Sequence, residues 1–182
     1  MRPYLAPRTA GLLERRSPPT FSVVIACYQG ADVVGDAVRS ALEQTRAPLE
    51  VIVSDDGSTD DLDRALGPYD QRIVVLRAEN RGPAAARNAA FRVAHGDYVV
   101  ILDADDVFFP ERLEAMAELL EQRPDLDIVT TDAIMELDGR PVRNVYNERW
   151  TFEVRDQRRA IRSEEQRLNS SHIQKSRMPS SA

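Results

Sequence analysis

The chain has little cysteine, lysine, histidine or aromatic character, and each shortage narrows what it can be. Its single cysteine, Cys27, excludes an intramolecular disulfide, and its place inside an apolar run reads as a small core residue. The two histidines, His95 and His172, sit in unrelated contexts and give no zinc-type spacing. His95, next to Gly96, reads as a helix C-terminal residue that complements the dipole. No apolar run approaches the roughly 20 residues needed to span a bilayer. The start, MRPYLAPRTAGLLERRSPP, lacks the apolar segment of a secretory signal, so a cytoplasmic location is the expectation. A net charge of -6 argues against a nucleic-acid partner. No Ser-His-Asp arrangement, repeat or sustained heptad is present.

What the chain does have is alternation. With 182 residues, 42% of them hydrophobic, it can build one domain with a real core. Phe21 to Cys27 reads as a first strand, and Val33 to Gln44 places Val34, Ala37, Val38, Ala41 and Leu42 on one helical face. Leu49 to Ser54 is a second strand, followed by DDGSTD, where Gly57 suits a tight turn and Ser58 or Thr59 caps a short helix towards Leu66. Ile73 to Leu76 is a third strand, and Pro83 at the first helical position opens a helix over Ala84 to Ala94. Tyr98 to Leu102 is a fourth strand, buried on both faces, and Pro110 to Gln122 is an amphipathic helix. Ile128 to Thr131 is a fifth strand, and Met135 to Val145, around Asp138-Gly139, is a hairpin. Strands alternating with helices predict an α/β fold, a mainly parallel central sheet with helices on both faces and right-handed crossovers.

The stretch that organises this pattern is Gly96 to Asp106, GDYVVILDADD, which delivers Asp103, Asp105 and Asp106 at a strand end. Carboxylates so close together repel unless neutralised, and a divalent cation with oxygen ligands does that well. The alternative is a solvated acidic turn before the following helix. Two further polar clusters fall at strand ends: Tyr28 after the first, and Asp55 with Asp56 after the second. In a parallel sheet these ends share one edge, where open α/β sheets place ligands. An aromatic to stack on a base, a carboxylate to accept from a base N–H and a cluster to hold a metal on a diphosphate describe a nucleotide site.

These residues carry a resemblance. SVVIACYQGADVVGDAVRSALEQT, EVIVSDDGSTDD, ENRGPAAARNAAFRVAHGDYVVILDADD and FFPERL, in that order, resemble the nucleotide-sugar-binding portion of family 2 glycosyltransferases, which have the Rossmann-like GT-A fold. The resemblance covers about Phe21 to Val145. It implies that Ala26 and Tyr28 line the base pocket, that Asp56 with Asp55 reads the base and that Arg87 approaches the nucleotide. It places Asp103 near the ribose and metal, and makes Asp105 the principal ligand of Mg²⁺ or Mn²⁺. The implied reaction is transfer, with inversion, from a nucleoside diphosphate sugar, UDP- or dTDP-linked, to a saccharide, lipid or protein acceptor.

The catalytic base of that reaction has no match here; Glu148 and Glu153 are available carboxylates without a supporting context. The expected organisation is a flexible leader over 1–19, an incomplete donor-binding domain over 20–147 and an uncertain stretch over 148–161 that would begin the acceptor half. Residues 162–182 hold six serines and the single lysine, Lys175, and read as a disordered or foreign tail. An incomplete domain would leave an apolar patch or unpaired strand edge exposed. Arg8 to Arg16 is weakly basic, which keeps peripheral association with the inner face of a membrane open. Two other readings remain at this point. A sugar nucleotidyltransferase would want a basic phosphate loop after the first strand, and a non-catalytic receiver-like module would want a lysine at a later strand end.

Overall fold

The computed structural model describes residues 17–131, 133–137, 140–143 and 174–177. Strand β1 (Phe21–Cys27) leads through α1 (Val34–Leu42) to β2 (Glu50–Asp55), and α2 (Leu62–Leu66) with a short 3₁₀ turn leads to β3 (Val74–Arg77). Helix α3 (Pro83–Val93) then crosses to β4 (Tyr98–Asp103). These four strands form one parallel sheet in the order β3-β2-β1-β4. After it come β5 (Asp106–Val107), α4 (Arg112–Gln122), and an antiparallel hairpin of β6 (Ala133–Leu137) and β7 (Arg140–Arg143). The expected α/β architecture is present, and the expected hairpin corresponds to the β6–β7 pair, whose connection at 138–139 lies outside the described residues.

The β-branched runs of β1 and β2 are buried on both sides because each face is roofed. On one face Val23, Ile25, Val51, Val53, Val100 and Leu102 pack against α1, α2 and α4. On the other, Val24 and Ile52 meet Ala90 of α3. The fourth strand departs from expectation: Val100 and Leu102 are buried, but Val99 and Ile101 are 39% and 45% exposed. Helix α3 packs on β1 and β2 rather than β4, so one side of β4 carries an apolar face uncovered among the described residues. The stretch 128–131 is not a strand either. Ile128 is 55% exposed, and Val129 packs on the core from an irregular segment that pairs with no strand among the described residues. The short helix is capped by Asp61, whose carboxylate accepts from the Arg64 N–H, not by Ser58 or Thr59.

Within the stretch read as a tail, Gln174–Arg177 forms β8, which pairs with β5 and β6 in a second sheet of order β5-β8-β6-β7. The rest of 162–182, the leader up to residue 16, and 144–161 with Glu148 and Glu153 lie outside the described residues.

Polar groups at the base of the parallel sheet are matched closely. Buried Ser22 donates from Oγ to Glu50 Oε1 at 2.7 Å and accepts from the Gly96 N–H at 2.8 Å. The His95 N–H also donates to Glu50 Oε1, at 2.6 Å, so His95 ties the end of the α3 crossover to β2 rather than serving only a helix dipole. Gly96 passes so close to β1 that a Cβ there would stand 2.5 Å from the Ser22 nitrogen. Gly96→Ala should therefore cost about 1–3 kcal/mol, read as a fall in Tm of about 2–12 °C. Gly67→Ala, where a Cβ meets nothing within 4 Å, should be close to neutral in the same melt. Burial raises the Glu50 pKa, but the hydrogen bonds from Ser22 and His95 outweigh it and hold the group below its ordinary 4.5. A lowered folded pKa gives stability that is present above the ordinary value and is lost as pH falls through the lowered one. Urea melts from pH 6 down to pH 3 should show that loss, and Glu50→Gln should flatten it.

Candidate functional site

The parallel register aligns the strand ends. Cα pairing sets Cys27 beside Asp55 and Ala26 beside Asp103, so the polar residues that follow β1, β2 and β4 emerge on one edge. A cavity of about 300 Å³ opens there. It is lined by Ala26, Cys27 and Tyr28 at the end of β1, by Asp56 after β2, by Asn80 after β3, and by Gly82, Pro83, Ala86 and Arg87 at the start of α3. Tyr28 is 55% exposed, leaving its ring free to stack on a planar ligand. Small residues at Ala26 and Ala86 leave room beside it.

The two adjacent aspartates do different work. Asp55 is buried, its Oδ1 accepts from the Ser58 N–H at 2.8 Å, and it shapes the turn without lining the cavity. Asp56 lines the cavity, and its two carboxylate oxygens accept from the backbone N–H groups of Arg81 (2.9 Å) and Gly82 (2.8 Å). Each of those oxygens has a second lone pair for another donor. The tight turn depends on Gly57, which has φ +78° and whose Cβ would lie 2.8 Å from the Asn80 nitrogen.

The loops after β1 and β2 are joined by Gln29, a residue the sequence did not single out. Its Oε1 accepts from the Thr59 N–H (2.9 Å) and the Asp60 N–H (3.1 Å), its Nε2 donates to Thr59 Oγ1, and its own N–H donates to Ser58 Oγ. Its φ of 51° marks a sharp reversal directly after Tyr28. Asn80, Gly82, Pro83 and Ala86 were also missed as lining residues. The ENRGP motif sits between a strand and a helix, and that position was their available signal.

The acidic cluster after β4 does not act as one unit. Asp103 is exposed, and its Oδ1 meets Arg87 Nη2 at 2.6 Å. Asp105 is exposed in the turn that follows. Asp106 is buried, as is Arg112, whose guanidinium lies 4.3 Å from the centre of the Phe108 ring. Burial pushes the Arg112 pKa down to about 10 against the upward pull of Asp106. Among the described residues no three acidic, histidine or cysteine side chains converge as a metal cage. The residues that could hold Mg²⁺ or Mn²⁺ are Asp103 and Asp105, two exposed carboxylates whose chemistry suits such an ion if ligand phosphates and water complete its shell.

Cys27 is a core residue, as expected. Burial first, and then the charges of Asp55 and Asp60, push its thiol up to about 11, which makes it a poor nucleophile at neutral pH. Asp56→Ala would strip both loop amides of their acceptor. Hydrogen exchange should then speed up at Arg81 and Gly82 by about tenfold or more, the equivalent of losing about 1.4 kcal/mol or more of protection. Exchange in β1 and β2 should change little.

Comparison with known proteins agrees with this geometry. The profile described as "Glycosyl transferase family 2" matches residues 22–173. The succinoglycan biosynthesis protein ExoU of Rhizobium meliloti is 46% identical over 110 residues, which are 58% of this chain and 31% of that protein. The putative teichuronic acid biosynthesis glycosyltransferase TuaG of Bacillus subtilis is 38% identical over 128 residues, 68% of this chain and 51% of TuaG. The chain thus spans about half or less of these relatives. Among solved structures, S. aureus TarS 1-349 superposes with a TM-score of 0.61 at 27% identity, covering 69% of this chain and 38% of TarS. The same fragment has been solved in complex with UDP and with UDP-GlcNAc. The nucleotidyltransferase and receiver readings fall away. The parallel sheet is that of the GT-A fold, and the chain belongs to glycosyl transferase family 2.

Proposed function

We propose that this chain is the donor-binding portion of an inverting glycosyltransferase that takes a UDP-linked sugar and builds a bacterial surface or secreted polysaccharide. The observation that carries this reading is the single cavity in which an exposed aromatic, a buried carboxylate and an arginine meet at the ends of parallel strands. UDP is chosen over dTDP because TarS, alike in this region, was solved with UDP and UDP-GlcNAc. The polysaccharide follows from the names of ExoU and TuaG.

In this reading Tyr28 stacks on the uracil, Ala26 lets it approach the strand, and a spare lone pair of Asp56 accepts the base N–H. Asp55 contributes by shaping the turn that holds Asp56. Asp103 sits at the ribose and, with Asp105, would hold Mg²⁺ or Mn²⁺. Such a cation, when bound, stabilises the negative charge that grows on the departing diphosphate. Arg87, on the first turns of α3, adds a second positive charge, and the α3 N-terminus has no side-chain cap competing for it. An acceptor hydroxyl would form its bond to the anomeric carbon as the bond to the diphosphate breaks, with its proton passing to a carboxylate base. No described residue is assigned as that base.

No helix among the described residues is long and apolar enough to cross a membrane. In this reading the acceptor is a saccharide, lipid or protein, and the reaction takes place in the cytoplasm, at the inner face of the membrane if the acceptor is lipid-linked. Calorimetric titration of UDP in the presence of Mn²⁺ should give binding that EDTA abolishes and that Asp105→Ala weakens by about tenfold or more, a loss of about 1.4 kcal/mol. Binding by the folded chain that ignores both EDTA and the substitution would overturn the metal assignment.

A further inference from the structure

We propose that the Arg87–Asp103 ion pair is a latch that couples nucleotide binding to metal binding, an inference that rests on the nucleotide-sugar reading of the site. Arg87 Nη2 stands 2.6 Å from Asp103 Oδ1. The carboxylate is therefore already neutralised and partly covered by a cation. A divalent ion arriving alone must displace the guanidinium or sit beside a like charge.

The two partners are unequal in freedom. Asp103 closes β4 and is fixed by strand register opposite Ala26. Arg87 reaches it on a long side chain from α3 and also lines the cavity. The pose it holds is incomplete, since its Nε is shielded and has no hydrogen-bond partner among the described residues. A guanidinium offers a planar fork suited to two oxygens at once, and the ion pair engages one end of it. A diphosphate entering beside Tyr28 and Asp56 provides oxygens for the whole fork. The arginine turns to them, Asp103 is released, and the carboxylate becomes available when the diphosphate arrives. Metal and nucleotide then favour each other's binding beyond their direct contact, and the coupling is reciprocal.

The test is a titration of Mn²⁺ into the whole chain without nucleotide, with free Mn²⁺ read by electron paramagnetic resonance, for the wild type, Arg87→Met and Asp103→Asn. Arg87→Met should bind Mn²⁺ alone about five- to tenfold tighter than the wild type, and the gain in Mn²⁺ affinity on adding UDP should shrink by a similar factor. Asp103→Asn should lose the Mn²⁺ site, which ties the signal to this carboxylate. Arg87→Gln gives the same reading if circular dichroism shows that the methionine variant is unfolded. If the wild type binds UDP with Mn²⁺ but the Arg87 variants bind Mn²⁺ alone no tighter, the latch is wrong and the nucleotide reading stands. If the wild type binds neither ligand, both are wrong.

Discussion

The site depends on the parallel pairing of β1 with β2 on one side and β4 on the other. Parallel strands share a direction, so whatever follows each of them emerges on one edge. The pairings of Cys27 with Asp55 and of Ala26 with Asp103 turn residues far apart in sequence into neighbours on adjacent strands. A one-residue slip in either pairing would move an aspartate to the wrong face of the sheet. The buried valines and isoleucines of β1 and β2 make that slip costly, because it would also carry the apolar set out of the core.

Strand register sets the approximate position of the site, and the loops refine it. Gln29 binds three residues of the DDGSTD turn, and Asp56 binds two amides of the segment that opens α3. Tyr28 and Pro83 thereby line one cavity whose residues come from three separate crossovers. Below the sheet, Ser22, Glu50 and the His95-Gly96 corner perform the same service for the return to β4. Just beyond α1, Gln44 donates from Nε2 to the Phe109 carbonyl and its Oε1 accepts from the Leu113 N–H, seating α4. Polar side chains that bind backbone are what connect the layers.

Much of this was legible in the sequence. Runs such as FSVVIAC and EVIVS announce buried strands, Pro83 announces the start of α3, and an aromatic and a carboxylate directly after buried strands mark the edge where the cavity opens. Features that depend on distant partners were not legible. Val99 and Ile101 look like core residues, since an apolar run does not say which of its faces a helix will cover. Ile128 to Thr131 has strand-like composition, but a strand needs a partner, and none lies beside it among the described residues. The DADD cluster reads as one acidic group, yet the chain reverses within it, leaving Asp105 in solvent and burying Asp106 near Arg112. Asp55 and Asp56 are indistinguishable by type, and only the fold of the turn assigns one to shape it and the other to the cavity.

The double grip of Asp56 on Arg81 and Gly82 bears on how such a pocket can diversify. A residue that both faces a ligand and holds the backbone opposite cannot be exchanged to suit a new ligand without loosening the wall it supports. Even glutamate, one methylene longer, would have to push the Arg81-Gly82 corner outwards. Tyr28, Asn80 and Ala86 line the same cavity, and an exchange at any of them would reshape the pocket while leaving the two Asp56 contacts in place.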